Sequence, residues 1–286
     1  MEKTSTRRTT RKQSDGSVAG GMISRVSATD RTTADRASAR GRDRYRPRKT
    51  AALLAQRIVT EITERGLQPG APLPPEREML EEYAVARGTL REALRFLEIQ
   101  GVITMKTGPG GGPVVDRPGS RHLASTMAMM LQLEHTSFRS VLEARIVLEP
   151  TIARHAAERV SDEELEEMRA SVDRMRAELD DRHVFREENE RFHALIAEAA
   201  GNPVFQMVIS SLNWIVDGTA LGVEYPLESR RAVAREHARI YKAIASRDPE
   251  RAAATMTVHM TDYLAYLAAK YPSVIDAPLR WDQVDA

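Results

Sequence analysis

The sequence predicts a mainly α-helical protein in two modules, three short helices closed by a β-hairpin and then a larger all-helical bundle. Apolar residues recur at spacings of three and four from Lys49 to Tyr271. A glycine-rich tip, Gly108 to Gly112, sits between two short runs that read as strands. After it no convincing alternating strand appears. At 286 residues the chain is long enough for two separate cores.

Residues 1–46 read as a disordered basic tail. Residues 1–49 carry 14 Lys and Arg against five Asp and Glu, a balance of +9, which leaves −8 for the other 237 residues of a chain with net charge +1. Ser, Thr and Gly are abundant and aliphatic periodicity is almost missing, so burial cannot offset the entropy of ordering. A solubilising tail, sequence upstream of a start at Met22, and a basic arm adding non-specific attraction for phosphate all fit this composition. Lys3, Arg7, Arg8, Arg11 and Lys12 are followed by no apolar run, so nothing resembles a secretory signal. The uncharged run from Leu123 to Leu133 falls short of the roughly 18 apolar residues of a membrane helix. A cytoplasmic protein with no membrane partner is expected. With no cysteine, a metal site has only histidine and oxygen donors to draw on.

A first module is expected over residues 47–116. Ala52, Leu53, Ile58, Val59 and Ile62 fall at helical spacing, and Gly66 and Gly70 close that helix. A second helix starts around Pro75, whose fixed φ suits a first turn, and runs to Tyr83. After a tight turn at Ala84 to Gly88, Leu90, Ala93, Leu94 and Leu97 make one buried stripe, while Thr89 and Glu92 have capping-box spacing. Arg87, Arg91 and Arg95 are left outside. Gly101 ends the helix, and Val102 to Met105 and Pro113 to Val115 read as the hairpin. Three helices and a hairpin in this order make a winged helix-turn-helix, whose third helix enters the major groove of DNA. Arginines there suit guanine O6 and N7 or a phosphate, although an ordinary solvated face looks the same at this spacing.

The wording of the segment adds to this. Leu73-Pro74-Pro75-Glu76-Arg77-Glu78, Val85-Ala86-Arg87, Leu90-Arg91-Glu92-Ala93-Leu94, Leu97-Glu98 and Gly101 closely resemble the signature of the GntR family of bacterial regulators, from about Arg57 to Val115. The resemblance implies that Arg77, Arg87, Thr89, Arg91 and Gly108 occupy positions that touch operator DNA. Pro75 and Ala86 stand where the family usually has a capping Ser or Thr, so both helix starts are expected to be shifted, or weaker by about 1 kcal/mol each.

After a linker near Asp116 to Ser120, residues 117–272 read as an all-helical module and residues 273–286 as a tail. Segments 121–133, 137–158, 162–180, 183–200, 203–219, 227–247 and 249–270 each show a period near 3.6, with breakers such as Gly201-Asn202-Pro203 between them. Seven helices after the wing resemble the FadR branch of the family, with its FCD-type ligand-binding domain. Arg145 to Glu149, Arg191-Phe192-His193, Ala199-Ala200-Gly201-Asn202-Pro203 and Glu236-His237 carry this second match.

Of seven histidines, His193, His237 and His259 lie on three different predicted helices, and Asn189 sits one turn before His193 on the same face. Imidazoles converging inside a bundle can bind a divalent ion; a lone helical histidine is more often a core or surface residue. The FCD resemblance implies a metal held through Asp-x-x-x-His and one histidine on each of two later helices. Here Asn189 replaces the Asp, so a neutral amide stands for a charged donor. Zinc or nickel suits three imidazoles better than magnesium or calcium. Arg145 lies among Val141, Leu142, Ile146 and Val147, where it either pairs with Glu143 or Glu149 or, as the resemblance implies, faces inward to meet a ligand carboxylate. His122, His135, His155 and His183 are expected to be structural.

Together these features predict a homodimeric, non-enzymatic regulator of a pseudo-palindromic DNA operator, most often a repressor, controlled by a small carboxylate effector beside a divalent metal. Two other readings stand beside it. One is an acyl-CoA-responsive regulator without metal; the other is a metal-dependent hydrolase with a DNA-binding head, for which Glu188 and Glu190 flank Asn189 without either being identifiable as a base.

Overall fold

The computed structural model describes residues 49–108, 110–216 and 223–283. The expectations for residues 1–46, and for the last residues of the helix read over 203–219, lie outside the described residues.

Helix α1 covers residues 49–64 and buries Ala51, Leu54, Ala55 and Ile58, at spacings 0, 3, 4 and 7. This corrects the stripe read from sequence: Ala52, Leu53 and Val59 are exposed, because they lie roughly 90–150° around the helix from the buried face. Helix α2 is Glu76–Tyr83 and α3 is Arg87–Ile99. Between them Ala84 takes a left-handed backbone, φ 51°, to reverse the chain. Pro75 and Ala86 are the N-caps and neither provides a side-chain cap. The expected capping box at Thr89 is therefore absent. Helix α3 begins three residues earlier, at Arg87, with Leu90 N donating to Ala86 O at 3.1 Å, and Thr89 already has helical backbone. Pro75 is likewise one residue outside α2, with ψ 151°.

Strands β1, Ile103–Lys106, and β2, Gly112–Val115, pair antiparallel with Ile103 opposite Val115. Pro72 bridges to Val114, tying the α1–α2 connection to the hairpin. Leu90, Leu94 and Leu97 of α3 join Met79, Ile58 and Ile103 in one apolar core. Arrangement and order are those of a winged helix-turn-helix.

Seven long helices follow: α4 Ser120–Leu133, α5 Phe138–Arg159, α6 Asp162–Ala177, α7 Arg182–Ala199, α8 Pro203–Ile215, α9 Leu227–Ala245 and α10 Pro249–Lys270. Helix α10 lies along α5, α4 on α8, and α6 on α7. Their breaks have local causes. Gly201 at φ 66° ends α7, Asn202 accepts from Val204 N at 3.0 Å, and Pro203 opens α8. Ser161 and Glu164 form a capping box at the start of α6. Phe138, Phe192 and Ile196 are buried in a second core, separate from the first, each contributing about 1.5–3 kcal/mol of transfer free energy.

The segment after Tyr271 packs against the bundle. Helix α11, Pro272–Ile275, is followed by a 3₁₀ turn at Trp281–Gln283. Leu279 is buried, its N–H donates to Thr136 O at 2.9 Å, and Trp281 Nε1 donates to Ser125 Oγ at 2.8 Å. Among the described residues no helix is long and apolar enough to cross a membrane.

Candidate functional site

The amphipathic pattern of α3 turns Arg87, Arg91 and Arg95 outward while Leu90, Ala93, Leu94 and Leu97 go into the core. Arg77 on α2 is exposed and Thr89 is half-buried. Among the described residues neither Arg77 nor Arg87 pairs with a carboxylate. Arg91 does: its Nε lies 3.6 Å from Glu76 Oε1, so it rests against the start of α2. Arg95 donates to Glu98 at 2.7 Å and is occupied within its own helix. Gly108 is exposed at the hairpin tip with φ 98°, a backbone that side chains other than glycine rarely adopt. The five residues expected to meet DNA are thus on α2, on α3 and at the tip, four of them exposed.

The bundle brings His193 of α7, His237 of α9 and His259 of α10 together. One ring nitrogen from each lies within 4.8 Å of the others. His193 Nε2 and His259 Nε2 are 3.4 Å apart, and the His237 ring stacks on Phe192 with centroids 4.3 Å apart. All three are buried, His237 completely, and neither nitrogen of His237 has a hydrogen-bond partner among the described residues. Burial, then the neighbouring His259 and His193, hold the His237 pKa well below the usual histidine value. Burial and His193 push His259 down to about 3, with Glu149 opposing and Arg145 assisting. Two neutral imidazoles with free lone pairs facing a third form a donor set that fits a divalent transition metal.

Helix α5 supplies the adjoining charges. Arg145 and Glu149 are four residues apart, both buried, and Arg145 Nε donates to Glu149 Oε1 at 2.7 Å. The other Glu149 oxygen hydrogen-bonds His193 Nδ1. Burial alone would raise the Glu149 carboxyl, but the Arg145 charge beside it and the hydrogen bonds from His193 and Arg145 hold it at about 2. A carboxylate on Nδ1 fixes the proton there and leaves the Nε2 lone pair for a ligand. Sequence reading named Glu149 only as a partner for Arg145. The i, i+4 signal was local, whereas the histidine it orients lies on another helix.

Of these groups Arg145, His193 and His259 open onto a cavity of about 220 Å³, whose wall also includes Asn189, Asn213 and Tyr225. Arg145 therefore does both things its position allows, pairing with Glu149 and facing the cavity. Asn189 is half-buried in the wall one turn from His193. The buried Asn213 amide, which the sequence did not single out, has no partner for either polar atom among the described residues. Tyr225 Oη and Tyr263 Oη share a hydrogen bond of 2.6 Å at the cavity wall. Glu188 is turned to α6, 3.3 Å from Arg174, while Glu190 lines the cavity. Of the other histidines, His122 accepts from Gly119 N at 3.3 Å, His155 stacks on Phe205, and His183 is exposed at the cavity edge.

Comparison with known proteins agrees with both modules. The profile of bacterial regulatory proteins of the gntR family matches residues 50–111, and that of the FCD domain matches residues 140–262. The HTH-type transcriptional regulator YcbG of Bacillus subtilis is 34% identical over 224 residues, covering 78% of this chain and 91% of its own length. The HTH-type transcriptional repressor NanR of Cronobacter sakazakii is 28% identical over 230 residues, 79% of this chain and 88% of its own. Among solved structures, Streptococcus agalactiae GntR superposes with a TM-score of 0.62 at 24% identity, over 76% of this chain and 99% of that one, a likeness of fold.

Proposed function

The chain belongs to the GntR family of bacterial regulatory proteins and carries an FCD domain, and from that premise we propose that it is a homodimeric repressor whose hold on operator DNA is set by an organic acid and a divalent metal in the helical bundle. As in its family, the chain is a DNA-binding transcriptional regulator and not an enzyme. Repression follows the NanR relatives, which are named repressors.

The observation that carries the reading is the buried triad of His193, His237 and His259 beside Arg145. A buried imidazole with both nitrogens unsatisfied, as in His237, is costly unless something binds it. The three imidazoles hold the ion, zinc or nickel, with Asn189 a candidate fourth donor. Bound there, the ion supplies a positive, Lewis-acidic point for an effector carboxylate. Glu149 orients His193, and Arg145 offers its remaining guanidinium N–H groups to the same carboxylate. Arg77, Arg87, Thr89, Arg91 and Gly108 make the DNA contacts of each head, and two heads on one dimer match a pseudo-palindrome. The effector acts by binding one arrangement of the heads better than the other.

The test is metal content and its removal. Protein purified without chelator should carry close to one divalent ion per chain, and chelation should lower its melting temperature, by about 4 kcal/mol of stability at an ion concentration about a thousandfold above Kd. His237→Ala should lose the ion and the response to organic acids yet keep operator binding. A metal-free protein whose acid response survives that substitution refutes the reading.

A further inference from the structure

Arg230 on α9 is only 6% exposed, yet its Nε and Nη1 have no hydrogen-bond partner among the described residues. A guanidinium needs acceptors on all its N–H groups, and taking it from water without them is strongly unfavourable. Among the described residues its surroundings do not supply them. Arg230 lines a second cavity of about 390 Å³ together with Arg182, His183, Arg186 and Glu224. Among the described residues Glu224 is the one carboxylate on that wall, and it faces Arg182 at 3.6 Å. Asp181 feels the Arg230 charge from nearby, but its Oδ1 accepts the His183 and Val184 N–H groups at 2.8 and 3.1 Å to cap α7. Among the described residues the chamber is thus bordered by three guanidinium groups and one carboxylate, and the N–H groups without an acceptor are those of Arg230. The chamber adjoins the histidine cavity, the two sharing His183, Phe185, Arg186 and Tyr225 as walls.

We propose that Arg182, Arg186 and Arg230 form a second anion subsite, which takes a carboxylate or phosphate at the far end of an effector whose first carboxylate faces Arg145 and the histidines. The effector class is then a bifunctional anion rather than a simple monocarboxylic acid. This rests on the reading of the histidine cavity as the effector site. The unsatisfied guanidinium is an acceptor-seeking group held ready by the fold, and a dianion spanning the two chambers meets a positive cluster at each end.

The experiment is calorimetric titration of the full-length, metal-loaded protein with inorganic phosphate, with butyrate and pentanoate, with succinate, glutarate and adipate, and with 3-phosphoglycerate. At least one two-ended anion should bind about tenfold or more tighter than the monocarboxylates, and Arg230→Gln should erase that advantage while leaving monocarboxylate binding unchanged. Whether the dicarboxylates or the phosphorylated acid gain more identifies the second group. Inorganic phosphate, which can also meet the metal, reads the chamber by difference: Arg145→Met should bind it as wild type does, and Arg230→Gln about tenfold more weakly or worse. Arg182→Ala, at an exposed position, should weaken phosphate without altering the melting temperature, and Arg230→Met should melt no lower than wild type, since an unpartnered charge is removed. Phosphate that fails to bind wild type, or binds it and both arginine variants equally, overturns the subsite. Phosphate lost only in the chamber variants, with no carboxylate bound anywhere, upholds the subsite and overturns the histidine cavity as a carboxylate site.

Discussion

The DNA-reading head and the helical bundle bury different things. The buried polar and charged side chains among the described residues, from Arg145 to His259, all belong to the bundle, and the head's core of Leu90, Met79, Ile58 and Ile103 has none. The head keeps its chemistry outside, on arginines that a hydrophobic stripe merely orients. In the bundle the same side chains that recognise a ligand also sit in the core, where each is stabilised only by its partners. Substitutions at the head's arginines should therefore separate DNA affinity from stability, whereas substitutions at the bundle's site should not.

The largest effect expected from this contrast comes at Glu149. Replacing it by Ala leaves Arg145 buried without its carboxylate and His193 without its orienting acceptor, and removal of one partner from a buried pair is worth about 3–5 kcal/mol. The exposed pair of Arg154 and Glu250 is the control, since breaking it by Glu250→Ala should change stability by about 0–1 kcal/mol. Thermal unfolding of both variants reads the difference, and similar small shifts would break the comparison. Next in size, Arg87→Ala should weaken operator binding by about 1–3 kcal/mol with the melting temperature unchanged. Glu76→Gln gives the converse: it frees Arg91 from its 3.6 Å partner, so operator affinity should rise or hold. An Arg87→Ala protein that binds operator like wild type would detach α3 from DNA reading.

The two regions also differed in how far the sequence disclosed them. The stripe of α3, the hairpin and all seven bundle helices follow from local periodicity and from Gly, Pro and Asn at the breaks, and the structure places their ends within a few residues. The face of α1 was misread because Ala51, Leu54 and Ala55 and the neighbouring Ala52 and Leu53 are all apolar, and only packing into the head's core decides between them. His193, His237 and His259 were legible by their intervals together with the family resemblance. Glu149 as the orienter of His193, Asn213 facing the cavity and the unpartnered Arg230 were not, because each depends on contacts between helices far apart in sequence, which no spacing encodes.

Asn189→Asp tests the bundle's side of the contrast more finely. It adds a charged oxygen donor to the cavity wall one turn from His193, so metal should bind about tenfold tighter, about 1.4 kcal/mol, if this position ligates. Competition with a chromogenic chelator measures it. An affinity unchanged by the substitution would leave the ion to the three imidazoles alone.

The smallest effect lies in the head. Ala86 already has the extended backbone of an N-cap, φ −69° and ψ 147°, but no side-chain oxygen to accept from the first N–H groups of α3. In Ala86→Ser the hydroxyl can accept from Gly88 or Thr89 N–H without moving the chain, which should stabilise the head by about 0.5–2 kcal/mol. Both tryptophans, Trp214 and Trp281, lie in the bundle, so their fluorescence reports the wrong region. Hydrogen exchange of the α3 amides reports the right one: protection from Leu90 to Leu97 should rise about fivefold, with bundle amides unchanged. The substitution touches neither Arg87 nor Arg91, so operator affinity should stay where it was. Raised protection with constant affinity is what a head with its chemistry on the surface requires, and a loss of affinity accompanying the gain would mean that the uncapped N–H groups of α3 themselves hold a phosphate.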